Sequence, residues 1–264
     1  MPVRLIATDL DGTFFGPDHR PEARSVAALN AAQAAGIVCV AITGRGHLGG
    51  IKRAGSTGAL FDWFIGSNGG HRVNLHSREI EENLLFENHD VAGIRRRLVD
   101  HDPALAYGWE TIDRQLWEQP FLELFPTDLG GAPRANGHIV TDTPTEVGKM
   151  FVAHPEHEMA DLVGYVEPHV GGGHNVTTSG ITFIEITPTG ADKGSALARL
   201  CKRLDIVAEE VVAFGDNMND LTMLEWAGRG IAMGNALDPV KEVADEVTST
   251  NIEFGVARVL EELV

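Results

Sequence analysis

The chain has 264 residues, 43% of them apolar, enough for a substantial core in one large domain or two modest ones. Its 38 acidic against 21 basic side chains give a net charge of −17, which argues against nucleic acid or an anionic membrane as a partner. A phosphate site in such a chain has to bring its own local cations or a metal. The two cysteines form no disulfide framework, no apolar run approaches the roughly 18 residues of a membrane span, and the first residues lack a signal-peptide plan, so a reducing cytoplasm is expected.

Val3 to Ala7 is an apolar, β-prone run that stops at Thr8-Asp9-Leu10-Asp11-Gly12-Thr13. It reads as a buried strand delivering Asp9 and Asp11 to its carboxyl end, where open α/β sheets bind ligands. A helix from Pro21 to Ala35, stopped by Gly36, and a strand over Ile37 to Ile42 complete a right-handed βαβ unit. That second strand ends at Thr43-Gly44-Arg45, where a hydroxyl and the amide of Gly44 suit a phosphoryl oxygen. The same turn fits a Gly-x-Gly-x-x-Gly dinucleotide pattern over Gly44 to Gly49. The acidic residue at the matching distance, Asp62, begins the next strand instead of ending it, which speaks against a nucleotide site. Ser67-Asn68-Gly69-Gly70 then marks a turn into a hairpin of His71 to Val73 with Glu79 to Asn83.

From Leu84 the regular alternation gives way. A helix is expected over Asn88 to His101 and a strand over Ala104 to Trp109, while Trp117 to Thr145, rich in proline and glycine, reads as either a substrate-facing loop or a variable surface loop. Arg134 and His138 are the side chains in it expected to bear on substrate preference. Strands over Val147 to Ala153 and Asn175 to Ser179 flank a helix from Pro155 to Val166. His154 and His157 have a metal-like spacing, but no further ligand pair joins them and surface histidine is the better reading.

Regular structure resumes near Thr182 and leads to Ala191-Asp192-Lys193-Gly194, with Lys193 at a helix start, against the helix dipole. The strand Val211 to Phe214 ends in Gly215-Asp216-Asn217-Met218-Asn219-Asp220, two more carboxylates at a strand end and a set of hard oxygen ligands suited to Mg²⁺. A strand-turn over Gly230 to Ala236, a short helix from Pro239 and a final helix from Ile252 close the chain.

Four strand ends thus deliver two carboxylates, a hydroxyl, a lysine and two further carboxylates. In that order they resemble the four motifs of the haloacid dehalogenase (HAD) phosphatase superfamily. With Ser67-Asn68-Gly69, Gly190 to Leu197, Gly215 to Leu221 and Ala232 to Ala236, the resemblance extends to its Cof-type branch, subfamily IIB. It implies an α/β fold, a HAD-like Rossmannoid parallel sheet with helices on both faces, in a core of residues 1–83 and 184–264, with an α/β cap inserted over 84–183.

The chemistry expected is Mg²⁺-dependent hydrolysis of a small phosphorylated metabolite, with sugar phosphates or phosphorylated glycosides favoured by the resemblance. Asp9 is the expected nucleophile, forming an aspartyl-phosphate, and Asp11 the acid and base. Mg²⁺ is expected on Asp9, Asp216 and the Asp11 carbonyl, and the phosphoryl oxygens on Thr43, Gly44 and Lys193. Asp220, Asn219 and Asn68 take supporting places. A phosphomutase and a phosphate-binding or phospho-receiver module are the alternatives; Asp11 weighs against the last, since a receiver needs no acid for an alkoxide.

Overall fold

Four successive buried residues, Leu5–Thr8 (β1), leave no side facing solvent, so this strand has to lie inside a sheet covered on both faces. The structure, a computed structural model, describes residues 1–126, 138–157, 159–178 and 183–263. After β1 come Ala23–Ala34 (α1), Val38–Ile42 (β2), His47–Gly55 (α2), Trp63–Gly66 (β3), His71–Asn74 (β4) and Ile80–Asn83 (β5). There follow Asn88–His101 (α3), Ala106–Glu110 (β6), Gln115–Trp117 (β7), Gln119–Leu124 (α4), His138–Ile139 (β8), Lys149–Ala153 (β9), Met159–Val170 (α5), Asn175–Thr177 (β10) and Ile184–Thr187 (β11). Lys193–Leu204 (α6), Val211–Gly215 (β12), Leu221–Trp226 (α7), Arg229–Ala232 (β13), Asp238–Val243 (α8), Glu246–Val247 (β14) and Gly255–Leu263 (α9) complete the chain.

Contacts divide these elements into two units, Met1–Glu82 with Ala191–Val264, and Asn83–Gly190. The first holds an eight-stranded sheet in the order β14-β13-β12-β1-β2-β3-β4-β5. From β14 to β3 the neighbours are parallel, and β4 turns back antiparallel on β3. Strand β1 lies between β2 and β12, so the chain winds out to one side of β1 and later to the other. A crevice opens at the carboxyl ends of strands where the order reverses in this way, which puts the ends of β1 and β12 at the natural ligand site. Asp62, the weak point of the dinucleotide pattern, precedes β3 and accepts hydrogen bonds from the Cys39 amide at 2.8 Å and from Gln33 at 3.2 Å. It is a structural tie between elements.

The second unit holds a six-stranded sheet, β10-β11-β9-β6-β7-β8, antiparallel except for β7 with β8. Val91, Ile94 and Leu98 of α3 and Leu162 and Val166 of α5 pack with Trp109, Met150, Val152 and Ile186 of the sheet. Trp117, Phe121, Phe151 and Phe183 form a separate cluster.

Several expectations are corrected. Residues 184–187 were expected in the core unit, but β11 pairs antiparallel with both β9 and β10 and so completes the second sheet. The strand's own pattern of apolar and polar residues suits either sheet, and pairing decides. Helix α5 begins later than Pro155, because Nδ1 of His154 accepts the amides of Glu156 and His157 at 3.0 and 3.1 Å and holds a turn there. Nε2 of His154 faces Asp102 at 3.1 Å. Within the span expected to be loose, Gln119–Leu124 is a short helix with a proline in its first turn. Arg134 and the side chain of His138 lie outside the described residues.

Candidate active site

The parallel register brings the carboxyl ends of β1 and β12, and with them Asp9 and Asp216, to the same edge of the sheet. Ala7 and Thr8 pair with Ala213 and Phe214, and the Asp9 amide donates to the Phe214 carbonyl at 3.0 Å. Gly12 then turns with a φ of +90°, and a Cβ there would collide with the Asp216 carboxylate. Only glycine combines that conformation with so close an approach. Thr13 follows, and its hydroxyl donates to Asp216 Oδ1 at 2.6 Å.

Lys193 opens α6 completely buried, and Nζ donates at 2.6 Å to both Asp9 Oδ1 and Asp220 Oδ1. Two carboxylates therefore answer the misfit of a cation at a helix start. Asp192 caps that helix by accepting the Ser195 amide at 2.8 Å. The second oxygen of Asp220 accepts the amides of Asp216 and Asn217 at 2.9 and 3.0 Å.

Burial pushes the Asp9 carboxyl well above its ordinary range; Lys193 pulls it back, and Asp220 and Asp216 add to the rise. Asp216 is pushed up to about 7, first by burial and then by Asp220. The Lys193 ammonium is raised although burial opposes it, because Asp220 and Asp9 together outweigh the loss of water. Among the described residues, Asp9, Asp216 and Asp220 are the one set of three carboxylate, imidazole or thiol side chains whose ligand atoms all lie within 4.8 Å of one another. Both oxygens of Asp220 are committed, which leaves Asp9 and Asp216 with an oxygen each. One or two carboxylates completed by water is the usual protein share of a Mg²⁺ shell, and a carboxyl held near 7 by burial is what a divalent cation relieves. The residues fit the ion.

Asp11 points elsewhere. Arg45 grips it bidentately, Nε to Oδ2 at 2.5 Å and Nη2 to Oδ1 at 2.6 Å, and His19 Nδ1 lies 2.8 Å from Oδ1. Burial acts to raise its pKa, but Arg45 and His19 outweigh it and hold the carboxyl below the ordinary range. Thr43 is buried, and its Oγ1 accepts the Arg45 amide at 3.2 Å across Gly44. Ser67 and Asn68 both have left-handed backbone, at φ +51° and +56°. Their amides donate to the carbonyls of Arg45 and Thr43 at 2.9 and 3.0 Å. The Asn68 side chain in turn accepts from Asn219 Nδ2 at 2.9 Å.

The structure thus gathers Asp9, Lys193, Asp216 and Asp220 into one bonded set and links Asn219 through Asn68 to the Thr43 turn. Arg45, His19 and Thr13 escaped the sequence reading. Arg45 lay inside the glycine pattern, and no spacing announces that residue 19 folds back on residue 11.

A sequence profile of haloacid dehalogenase-like hydrolases matches residues 6–260. A 5-amino-6-(5-phospho-D-ribitylamino)uracil phosphatase of Bacillus subtilis, YcsE, is 30% identical over 98% of this chain and 94% of its own. The HMP-PP phosphatase of Yersinia enterocolitica is 31% identical over 90% of this chain and 86% of its own. The solved structure of the HAD subclass IIB sugar phosphatase BT4131 superposes with a TM-score of 0.82 over 99% of this chain and all of that one, at 22% identity, a likeness of fold. The chain belongs to the haloacid dehalogenase-like hydrolases, as a phosphatase of that superfamily with the α/β architecture its motifs implied.

Proposed function

We propose that this phosphatase hydrolyses phosphomonoesters through an aspartyl-phosphate on Asp9, with Mg²⁺ as cofactor. The observation that carries the reading is the Asp9–Lys193–Asp220 bridge at the ends of β1 and β12, beside the raised carboxyl of Asp216. Lys193 fixes one oxygen of Asp9, and the other can be aimed at phosphorus. As the Asp9 oxygen bonds to phosphorus, the bond to the leaving oxygen breaks, and that oxygen takes a proton from Asp11. In the second half, Asp11 takes a proton from water, the water oxygen bonds to phosphorus, and phosphate leaves Asp9 restored.

Thr43, the Gly44 amide and the third N–H of Lys193 are assigned to the remaining phosphoryl oxygens. Asp9 and Asp216 would hold Mg²⁺, which supplies charge neutralisation between the nucleophile and the phosphoryl group. Asp220 keeps Lys193 charged and oriented, and the pairing of Asn219 with Asn68 keeps the Thr43 turn in register with the acidic loop.

The substrate is a small phosphorylated metabolite, with a sugar phosphate or phosphorylated glycoside favoured by the family branch. The second unit, Asn83–Gly190, is assigned its selection. Two free, buried thiols, Cys39 and Cys201, suit a reducing cytoplasm, and no helix among the described residues is long and apolar enough to cross a membrane.

The test is phosphate release from a panel of sugar, glyceryl and nucleotide phosphates, with and without Mg²⁺. Metal-dependent release that vanishes in Asp9→Asn is expected. Release that ignores both metal and mutation would remove the mechanism.

A further inference from the structure

The ends of β1 and β12 are also held from a third strand. In the sheet β13 lies next to β12 and is separated by it from β1. The turn after β13, from Met233 to Leu237, grips the end of β12 with two backbone amides: Met233 donates to the Gly215 carbonyl and Leu237 to the Asp216 carbonyl, both at 3.0 Å. The same turn reaches past β12 with a side chain. Nδ2 of Asn235 donates to the Gly12 carbonyl, in the loop beyond β1, at 2.8 Å.

An exposed asparagine ordinarily leaves its side-chain amide to water. Asn235 is exposed, yet backbone groups engage both ends of it: Oδ1 accepts the Asn251 amide at 3.0 Å while Nδ2 holds Gly12. One partner is an N–H and the other a C=O, so the orientation of the amide is fixed. Asn251 adds a tie further along the same loop, from Nδ2 to the Phe15 carbonyl at 2.8 Å.

The place of Gly12 gives this bond its weight. Gly12 passes so near the Asp216 carboxylate that a side chain has no room there. The carbonyl one residue earlier, of Asp11, is among the expected Mg²⁺ ligands. Carboxylates load both loops, so without a cation like charge pushes the loops apart. Mg²⁺ in turn demands near-ideal geometry from its ligands, and a small change in spacing costs affinity. Thr13 bridges the loops too, but its bond occupies Asp216 Oδ1. The Asn235 bond sets the spacing while leaving every carboxylate oxygen to other work.

We propose that Asn235 is a positioning residue for the metal, fixing the Gly12 carbonyl against the Asp216 loop and so presetting the spacing that Mg²⁺ needs. It acts through the backbone of the two loops. The inference rests on the Mg²⁺-dependent phosphatase reading and adds to it a residue outside the set of ligands.

The test is Mg²⁺ binding by calorimetry to the metal-stripped full chain at pH 8, beside denaturant unfolding of the metal-free form, in wild type, Asn235→Ala and Asn251→Ala. Asn235→Ala is expected to raise the Kd for Mg²⁺ by about tenfold, the lower end of what losing an outer support of a metal ligand does. Asn251→Ala removes the Phe15 tie but keeps the backbone amide that holds Asn235. It is expected to lower the unfolding midpoint as much as Asn235→Ala does and to leave the Kd within about twofold of wild type, as independent sites do. A role confined to folding would lower the midpoint in both variants and move the Kd in neither. Asn235→Ser replaces Asn235→Ala if that variant does not fold, with the same direction expected.

A wild-type Kd in Asn235→Ala, or an equal rise in Asn251→Ala, would overturn the positioning role while leaving the phosphatase reading in place. A wild type that takes up no Mg²⁺ and releases phosphate equally well without it would defeat the metal reading and the positioning role together.

Discussion

Asp11 and Asp9 stand two positions apart and live in opposite surroundings. Asp9 is buried against other carboxylates and a fixed lysine, while Asp11 is partly exposed and gripped by the Arg45 guanidinium. In the mechanism proposed above, that difference separates nucleophile from acid and base. Asp11→Asn should lower kcat by ~10²–10⁴-fold, the usual weight of a general acid, with the fold intact by circular dichroism. A loss of less than about tenfold would take that role from it. A second buried cation, Lys149, has a different use. It lies 2.8 Å from Glu185 and 3.7 Å from Glu110, with about 1% of its surface exposed. Removing it strands two carboxylates, and Lys149→Met should cost ~3–5 kcal/mol in denaturant unfolding of the second unit. A cost below about 1 kcal/mol would mean that the unit relaxes to admit water.

At the scale of elements, the loop Ser67–Gly69 joins parts far apart in sequence. Its amides hold the Thr43 turn, Asn68 holds Asn219, and Gly69, at φ +100°, leaves no room for a Cβ beside the Asp192 carbonyl. Asn68→Ala keeps the fold but loses the amide and strains the left-handed backbone, at a cost of ~1–3 kcal/mol. We expect kcat to fall along with that stability, whereas unchanged kcat in the folded variant would make Asn68 a turn residue alone. The elements differ in how much of them the sequence disclosed. Strands β1, β2 and β12 are continuous apolar runs ended by polar turns, and α1 announces its stop at Gly36. Strand β11 carries the same signature but belongs to the other sheet, because which strand it meets depends on the chain's return path and not on its own residues. Helix α4, only six residues long, is shorter than the window in which helical periodicity can be read. The carboxylates and Lys193 were legible because each follows a strand or opens a helix, whereas the grip of Arg45 on Asp11 is a long-range contact with no local trace.

For the molecule as a whole, a net charge of −17 and three clustered carboxylates make cations part of the folded state's energetics. Burial pushes the Asp216 carboxyl up to about 7, from an ordinary value of 3.8. In metal-free protein the contribution of this group to stability therefore falls as pH rises from about 4 through 7. Mg²⁺ requires the deprotonated form, so its stabilising effect grows over the same interval. At a free concentration a hundredfold above its Kd, Mg²⁺ should add about 2.7 kcal/mol at pH 8 and less at pH 6. Equal melting shifts at the two pH values would remove Asp216 from the metal site.

The central claim, a phosphoryl group carried on Asp9, is tested most directly by acid-quenching the enzyme during turnover of a labelled phosphomonoester and mapping the label by peptide mass spectrometry. The account predicts an acid-stable, hydroxylamine-labile acyl phosphate on the peptide that contains Asp9, formed only with Mg²⁺ and missing from Asp9→Asn. Turnover in which no label reaches the protein, or label that persists in the Asp9→Asn variant, would contradict it.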